Sequence, residues 1–177
     1  PAGNVTYYVD GEKTTFTKDI VKGSLDDVGG NGALTQVWYD SAKNTATITM
    51  INTYFAQIAA AYKASTTKDA YVLLASTGNT GLGSTYETDD AYAVDDYVLY
   101  TYSKMTGATG VKSMKLAEKV TGTLTGYVEG KSVVAGGTTY KINAVAASKA
   151  TIGSSLTNAM NTTVDVYLGF YGDAVYV

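Results

Sequence analysis

One stretch of this chain occurs twice, and a duplication constrains architecture before any single side chain does. The C-terminal copy reads Gly137-Thr-Thr-Tyr-Lys, a loop of small residues, then Val164-Asp-Val-Tyr-Leu-Gly-Phe-Tyr-Gly-Asp-Ala-Val-Tyr-Val. Near the N-terminus, Thr14-Thr15-Phe16 answers Thr138-Thr139-Tyr140 and Ser24-Leu25 answers Ser155-Leu156. Val37-Trp38-Tyr39 answers Val166-Tyr167-Leu168, and Ala46-Thr47-Ile48 answers Ala174-Val175-Tyr176. The register drifts only in loops, as expected where strands are fixed and connections vary.

The repeated phrases alternate in hydrophobicity and are rich in Thr, Val and Tyr, residues that suit a pleated, half-buried surface. Asp10-Gly11 predicts a two-residue hairpin turn, as do Glu129-Gly130 and Gly136-Gly137 further on. Gln36 to Tyr39 and Thr45 to Tyr54 read as a strand pair, but Met50 to Tyr62 is ambiguous, because Phe55-Ala-Gln-Ile-Ala-Ala-Ala-Tyr has helical propensity. With no cap or breaker between it and the alternating run before it, one long strand is expected. Strands are also expected over Ala70 to Ser76 and Ala91 to Ser103, and single helical turns over Asp19 to Lys22 and Ser155 to Met160. Short strands with regular turn signals imply an all-β chain of tandem small modules, five-stranded and barrel- or sandwich-like, joined by long strands. The expected divisions are a first, incomplete module at 1–63, an intervening β segment at 64–118, and a second module at 119–177 that repeats 5–50.

The second copy begins with a strand, Thr121-Gly-Thr-Leu-Thr-Gly-Tyr, that has no counterpart before Val5. The chain therefore reads as a window on a longer tandem array, with Pro1-Ala2-Gly3 as the start of an excised piece. The alternative expectation is self-association, in which a spare strand of one chain fills the vacancy of another at an open sheet edge.

The composition narrows the chemistry. The 177 residues include no His, no Cys and no Arg. The commonest general base, the thiol nucleophile and the usual transition-metal ligands are therefore missing. The acidic residues crowd into loops and turns and do not offer two carboxylates on rigid elements across a cleft, so no enzyme is expected. A net charge of −3 disfavours nucleic acid, which needs clustered basic residues. No apolar run approaches a membrane span.

Glu87, Asp89, Asp90, Asp95 and Asp96 gather five carboxylates within ten positions. That makes them a weak calcium candidate, since calcium takes six to eight oxygens, although the spacing is not that of a calcium loop. A solvated acidic loop is the simpler reading. Trp38 and Tyr97 are weak candidates for stacking on a sugar ring or a partner. Trp38 and Tyr39 point to opposite faces of their strand, so only one of them is expected in a core. A large aromatic at the places of Trp38 and Tyr167 in both copies reads most simply as a packing requirement.

Asp95-Asp-Tyr-Val-Leu-Tyr-Thr-Tyr-Ser, Ala117-Glu-Lys-Val-Thr-Gly-Thr-Leu-Thr-Gly-Tyr, Gly137-Thr-Thr-Tyr-Lys-Ile and Val166-Tyr-Leu-Gly-Phe-Tyr-Gly-Asp-Ala-Val-Tyr-Val resemble the repeat region of clostridial cell-surface proteins that contain S-layer homology domains. Asn52-Thr-Tyr-Phe-Ala-Gln-Ile is similar to the run that follows such repeats. The resemblance implies an exported, extracellular, wall-associated protein with a structural or spacer role. An adhesive role towards a cell-wall or host glycan is the alternative. Relatives often carry an Asp/Asn/Gly run between the strands of one hairpin, which the resemblance associates with calcium. Here that place reads Tyr39-Asp-Ser-Ala-Lys-Asn, with one carboxylate and a lysine.

Overall fold

The computed structural model describes residues 4–15, 33–76, 85–143 and 154–177. All long elements are strands, so the chain is all-β, and its plan follows from one of them. Strand β4, Thr45–Tyr62, runs unbroken for 18 residues. Its Ala-rich second half would suit a helix in isolation. It is extended because strands hydrogen-bond along both of its edges, and tertiary pairing overrides local preference.

The first half of β4 lies between β1, Asn4–Val9, and β3, Ala33–Asp40. β1 is parallel to it and β3 antiparallel. β1 also pairs with the short β2, Glu12–Thr14, through the expected turn, where Asp10 and Gly11 have φ of 52° and 82°. The N-terminal sheet therefore has the order β2-β1-β4-β3.

The second half of β4 begins a barrel. It pairs with β5, Tyr71–Ser76, and with β7, Tyr97–Ser103. β5 pairs with β6, Thr85–Glu87, and β7 with β8, Gly110–Leu116. The sheet curls until β6 lies against β8. Its interior holds Tyr54, Ala56, Ile58, Val72, Leu74, Val98 and Tyr100, the inward members of each alternation.

After Ala117 the pattern starts again. β9, Glu118–Val128, pairs with β10, Ser132–Ala135, and with β12, Thr163–Leu168. β10 pairs with β11, Thr138–Lys141, and β12 with β13, Ala174–Tyr176. A 3-10 helix, Ser154–Ala159, precedes β12. A parallel bridge from Ile142 to Ala174 closes the ring around Leu124, Val133, Ala135, Leu156, Val166, Leu168 and Ala174.

The two barrels share one plan. In each, a long first strand pairs through its leading half with the fourth strand and through its trailing half with the second. In each, the third strand ends beside the fifth, with which it runs parallel. This is the Greek-key connectivity of five-stranded OB-type barrels. Gly122 marks the crossing in β9: a Cβ there would stand 2.6 Å from the backbone nitrogen of Gly136. Only glycine lets the two strands approach so closely.

The chain thus repeats differently from the division expected. The fifth strand of each unit leads into the first strand of the next, within β4 and again from β8 to β9. The line drawn between 1–63 and 64–118 separates β4 from β5 and β7, its own partners. The N-terminal hairpin also departs from expectation. In the C-terminal barrel it is β11, the second strand of its hairpin, that ends beside the last strand, whereas here it is β1, the first, that lies along β4. Residues 91–96, expected as strand, form a loop. The turn expected at Asp19 to Lys22 lies outside the described residues.

Candidate functional site

The side chains that do most in this molecule sit where one unit meets the next. At the first junction, the Asp10 carboxylate is buried at the end of β1. It accepts hydrogen bonds from the Asn52 backbone N–H at 2.8 Å and the Asn52 side-chain amide at 3.1 Å. The Tyr54 hydroxyl donates to it as well, and Lys104 Nζ stands 4.0 Å away. The Asp10 backbone receives Lys104 N–H and donates to Met50. A charge this deep is tolerable because it is surrounded by donors. Burial, and then the hydrogen bond to Asp10, push the Tyr54 hydroxyl well above the usual tyrosine range.

At the second junction the contact is aromatic. Phe55, Tyr97 and Leu99 lie on the outer face of the middle barrel, and Tyr167, Val175 and Tyr176 of the C-terminal barrel cover them. The Phe55 ring stacks on Tyr97 at 5.4 Å and on Tyr176 at 5.4 Å, and meets Tyr167 at 5.8 Å. Lys115 adds a cation–π contact, 4.0 Å above the Phe170 ring. Burial and the hydrogen bond with Tyr176 push the Tyr97 hydroxyl up to about 12.

Tyr97 is therefore a junction residue, not a free platform for a ligand. Sequence reasoning selected it for its ring and could not see that the opposing surface lies far along the chain. Phe55, Tyr167 and Tyr176 were not singled out as functional, and their shared signal is an aromatic on the outward face of a strand. Trp38 is on the surface, 55% exposed, and Tyr39 is 60% exposed, so neither is core. Their strand β3 pairs with β4 alone among the described residues. The aromatic place that packs in the C-terminal barrel, at Tyr167, is thus open at Trp38. Tyr92 is no platform either, since its hydroxyl donates to the Met114 carbonyl and its ring packs on the middle core.

Two of the five carboxylates in the acidic stretch, Asp95 and Asp96, accept hydrogen bonds from neighbouring groups. Asp95 accepts from the Gln57 amide, and Asp96 accepts from Ala93 N–H. The loop backbone is tied to β4 at Ile58. Glu87 lies in β6, and Asp89 and Asp90 are exposed. Among the described residues no three acidic side chains converge as metal ligands. A groove of about 740 Å³ borders Lys68, Asp69, Tyr71 and Glu87. It is a shallow surface feature over which Lys68 reaches the Tyr71 ring at 5.8 Å. No described helix is long and apolar enough to cross a membrane.

No protein-family model, curated protein or solved structure matches this chain.

Proposed function

We propose that this chain is a run of non-enzymatic structural modules of a bacterial cell-surface protein of the S-layer kind, built to space or coat and to associate by tandem packing or strand addition. The observation that carries the reading is the way successive units are joined. The first two units share strand β4, the next pair is joined from β8 to β9 through Ala117 alone, and the junctions are filled by Asp10 with its donors and by the Phe55 aromatic cluster. A chain selected to hold its units in register has reason to spend side chains there. The absence of His, Cys and Arg from the sequence, with carboxylates engaged in loop hydrogen bonds, supports a role without catalysis. The export and wall association come from the resemblance of the strand phrases.

Antibodies raised against the purified chain test the location. Labelling of intact producing cells, removed by brief external protease, is the expected result. Signal that appears only after lysis would overturn it.

A second reading, an adhesin, is favoured by the exposure of Leu34, Trp38 and Tyr39 together on β3. Glycan-array binding that disappears on Trp38→Ala would promote it over the structural reading. An array without Trp38-dependent signal leaves the structural one.

A further inference from the structure

The middle barrel carries a groove whose charged groups are unspent. Val72 and Leu74 of β5 point into the core, so Tyr71 and Leu73 point outward, opposite Glu87 and Thr85 of β6. These outward residues form the floor of the groove, and the turn at residues 65–69 forms its wall. The wall is held by its own hydrogen bonds. Ser65 N–H donates to the Lys68 carbonyl at 2.8 Å, and Ser65 Oγ accepts from Lys68 N–H at 3.2 Å.

Tyr62 lies outside the groove, stacks on the Tyr71 ring at 4.6 Å and 15°, and so fixes the orientation of that ring. Lys68 Nζ stands 5.8 Å from the Tyr71 ring centre, near the outer limit of a cation–π contact at roughly 6 Å. Lys68, Asp69 and Glu87 are exposed and form no ion pair among the described residues. Asp95, Asp96 and Asp165, by contrast, all accept hydrogen bonds within the protein. A ring held in place on the floor of a groove, with uncommitted donors and acceptors around it, has the make-up of a small-ligand site.

We propose that this groove binds a neutral oligosaccharide, with one pyranose seated on the Tyr71 ring. The C–H face of the sugar covers the apolar face of the ring, and the sugar's hydroxyl rim points to the polar groups around it. Hydroxyls both donate and accept, so they satisfy the Asp69 and Glu87 carboxylates and the Lys68 ammonium together. Charge selects the class of sugar. An anionic sugar would meet Asp69 and Glu87, and a cationic one would meet Lys68. The groove's volume of about 740 Å³ lies within the roughly 300–1,000 Å³ of small-molecule sites. A structural module would thereby gain an attachment to sugar, and neither Trp38 nor the rest of β3 takes part.

The test passes the whole chain over an array of bacterial wall glycans and animal-cell glycans, each in neutral, acidic and amino forms. Neutral chains are expected to bind, and the half of the array that responds names their source. Calorimetric titration with the best neutral chain then compares variants. Tyr71→Ala should bind about tenfold more weakly, Glu87→Gln several-fold more weakly, and Tyr71→Phe as the parent does. Trp38→Ala should leave the affinity unchanged. Glu87 is exposed, so Glu87→Gln keeps the fold even where removing the Tyr71 ring from its stack on Tyr62 does not.

The proposal is overturned by an array with no neutral glycan bound, by a preference for charged glycans, or by a signal that Trp38→Ala abolishes. Parent-strength binding by Glu87→Gln, or by a folded Tyr71→Ala, overturns it equally. None of these results bears on the labelling of intact cells, so the structural reading stands or falls separately.

Discussion

Truncating Phe55 tests whether the two barrels behave as one body. Its side chain is 1% exposed and touches three other rings, two of them from the C-terminal barrel. Phe-to-Ala changes in packed cores cost about 3–5 kcal/mol, from lost transfer energy and the cavity left behind. Each aromatic pair contributes roughly 0.5–1.5 kcal/mol beyond area alone. The site is enclosed on both sides by strands whose backbones are fixed by ladders, so little collapse is available. A loss of about 4 kcal/mol is expected for Phe55→Ala, a large share of the roughly 5–15 kcal/mol that holds a domain folded.

Urea unfolding followed by the near-ultraviolet circular dichroism of the tyrosines reads that loss. The parent chain should unfold its two barrels together, and Phe55→Ala should separate them into two transitions. Combined with Tyr176→Ala in a double-mutant cycle, it should show a coupling of roughly 0.5–3 kcal/mol, as contacting residues do. Tyr171→Ala, at a ring that is 62% exposed, is the control and should stay within about 0.5 kcal/mol of the parent. A loss below about 1 kcal/mol for Phe55→Ala, or a coupling indistinguishable from zero, would refute the reasoning.

Asp10→Ala should cost about 3–5 kcal/mol in thermal or urea unfolding, because it strands the buried donors of Asn52 and Tyr54 and leaves Lys104 without its partner. Gly122→Ala should destabilise by about 1–3 kcal/mol through collision with the Gly136 backbone, whereas Gly126→Ala, whose Cβ meets nothing nearer than 3.6 Å, should fold nearly as the parent does. Alkali should unfold the chain from the junctions. Tyr97 ionises near 12 when folded against an ordinary value of 10.0, so its contribution is complete below pH about 10 and lost as pH rises towards 12. Tyrosine absorbance at 295 nm should accordingly show late-titrating groups, Tyr54 and Tyr97 among them, with one fewer in Tyr97→Phe and none set apart from the rest in urea.

What could be seen in the sequence was whatever depends on neighbours along the chain. Asp10-Gly11 and Gly136-Gly137 adopt the left-handed turns their residue types require. Thr45–Tyr62 is one strand, since nothing in it breaks the extended run. The 3-10 helix at Ser154–Ala159 falls where a helical turn was expected. β6 escaped notice because Thr85–Glu87 is three residues long and owes its strand geometry to β5. The recurrence of 53–116 as 118–176 was equally hidden. A barrel strand needs only an apolar residue at alternate positions, so Tyr54, Ala56 and Ile58 can do in one copy what β9 does with quite different residues in the other. The junctions depend on pairs such as Phe55 and Tyr176, which no local pattern connects. Trp38 and Tyr39 lie exposed on a strand that pairs with β4 alone among the described residues, a property of the sheet and not of their own residue types.

The passage of one strand through two successive units has a mechanical consequence. Tension applied along β4 is carried sideways into the ladders on both of its flanks, so the bonds are loaded together in shear. A linker would let each unit be peeled open one bond at a time. Extension of this chain should therefore resist up to a threshold and then yield abruptly, with neighbouring units giving way in concert.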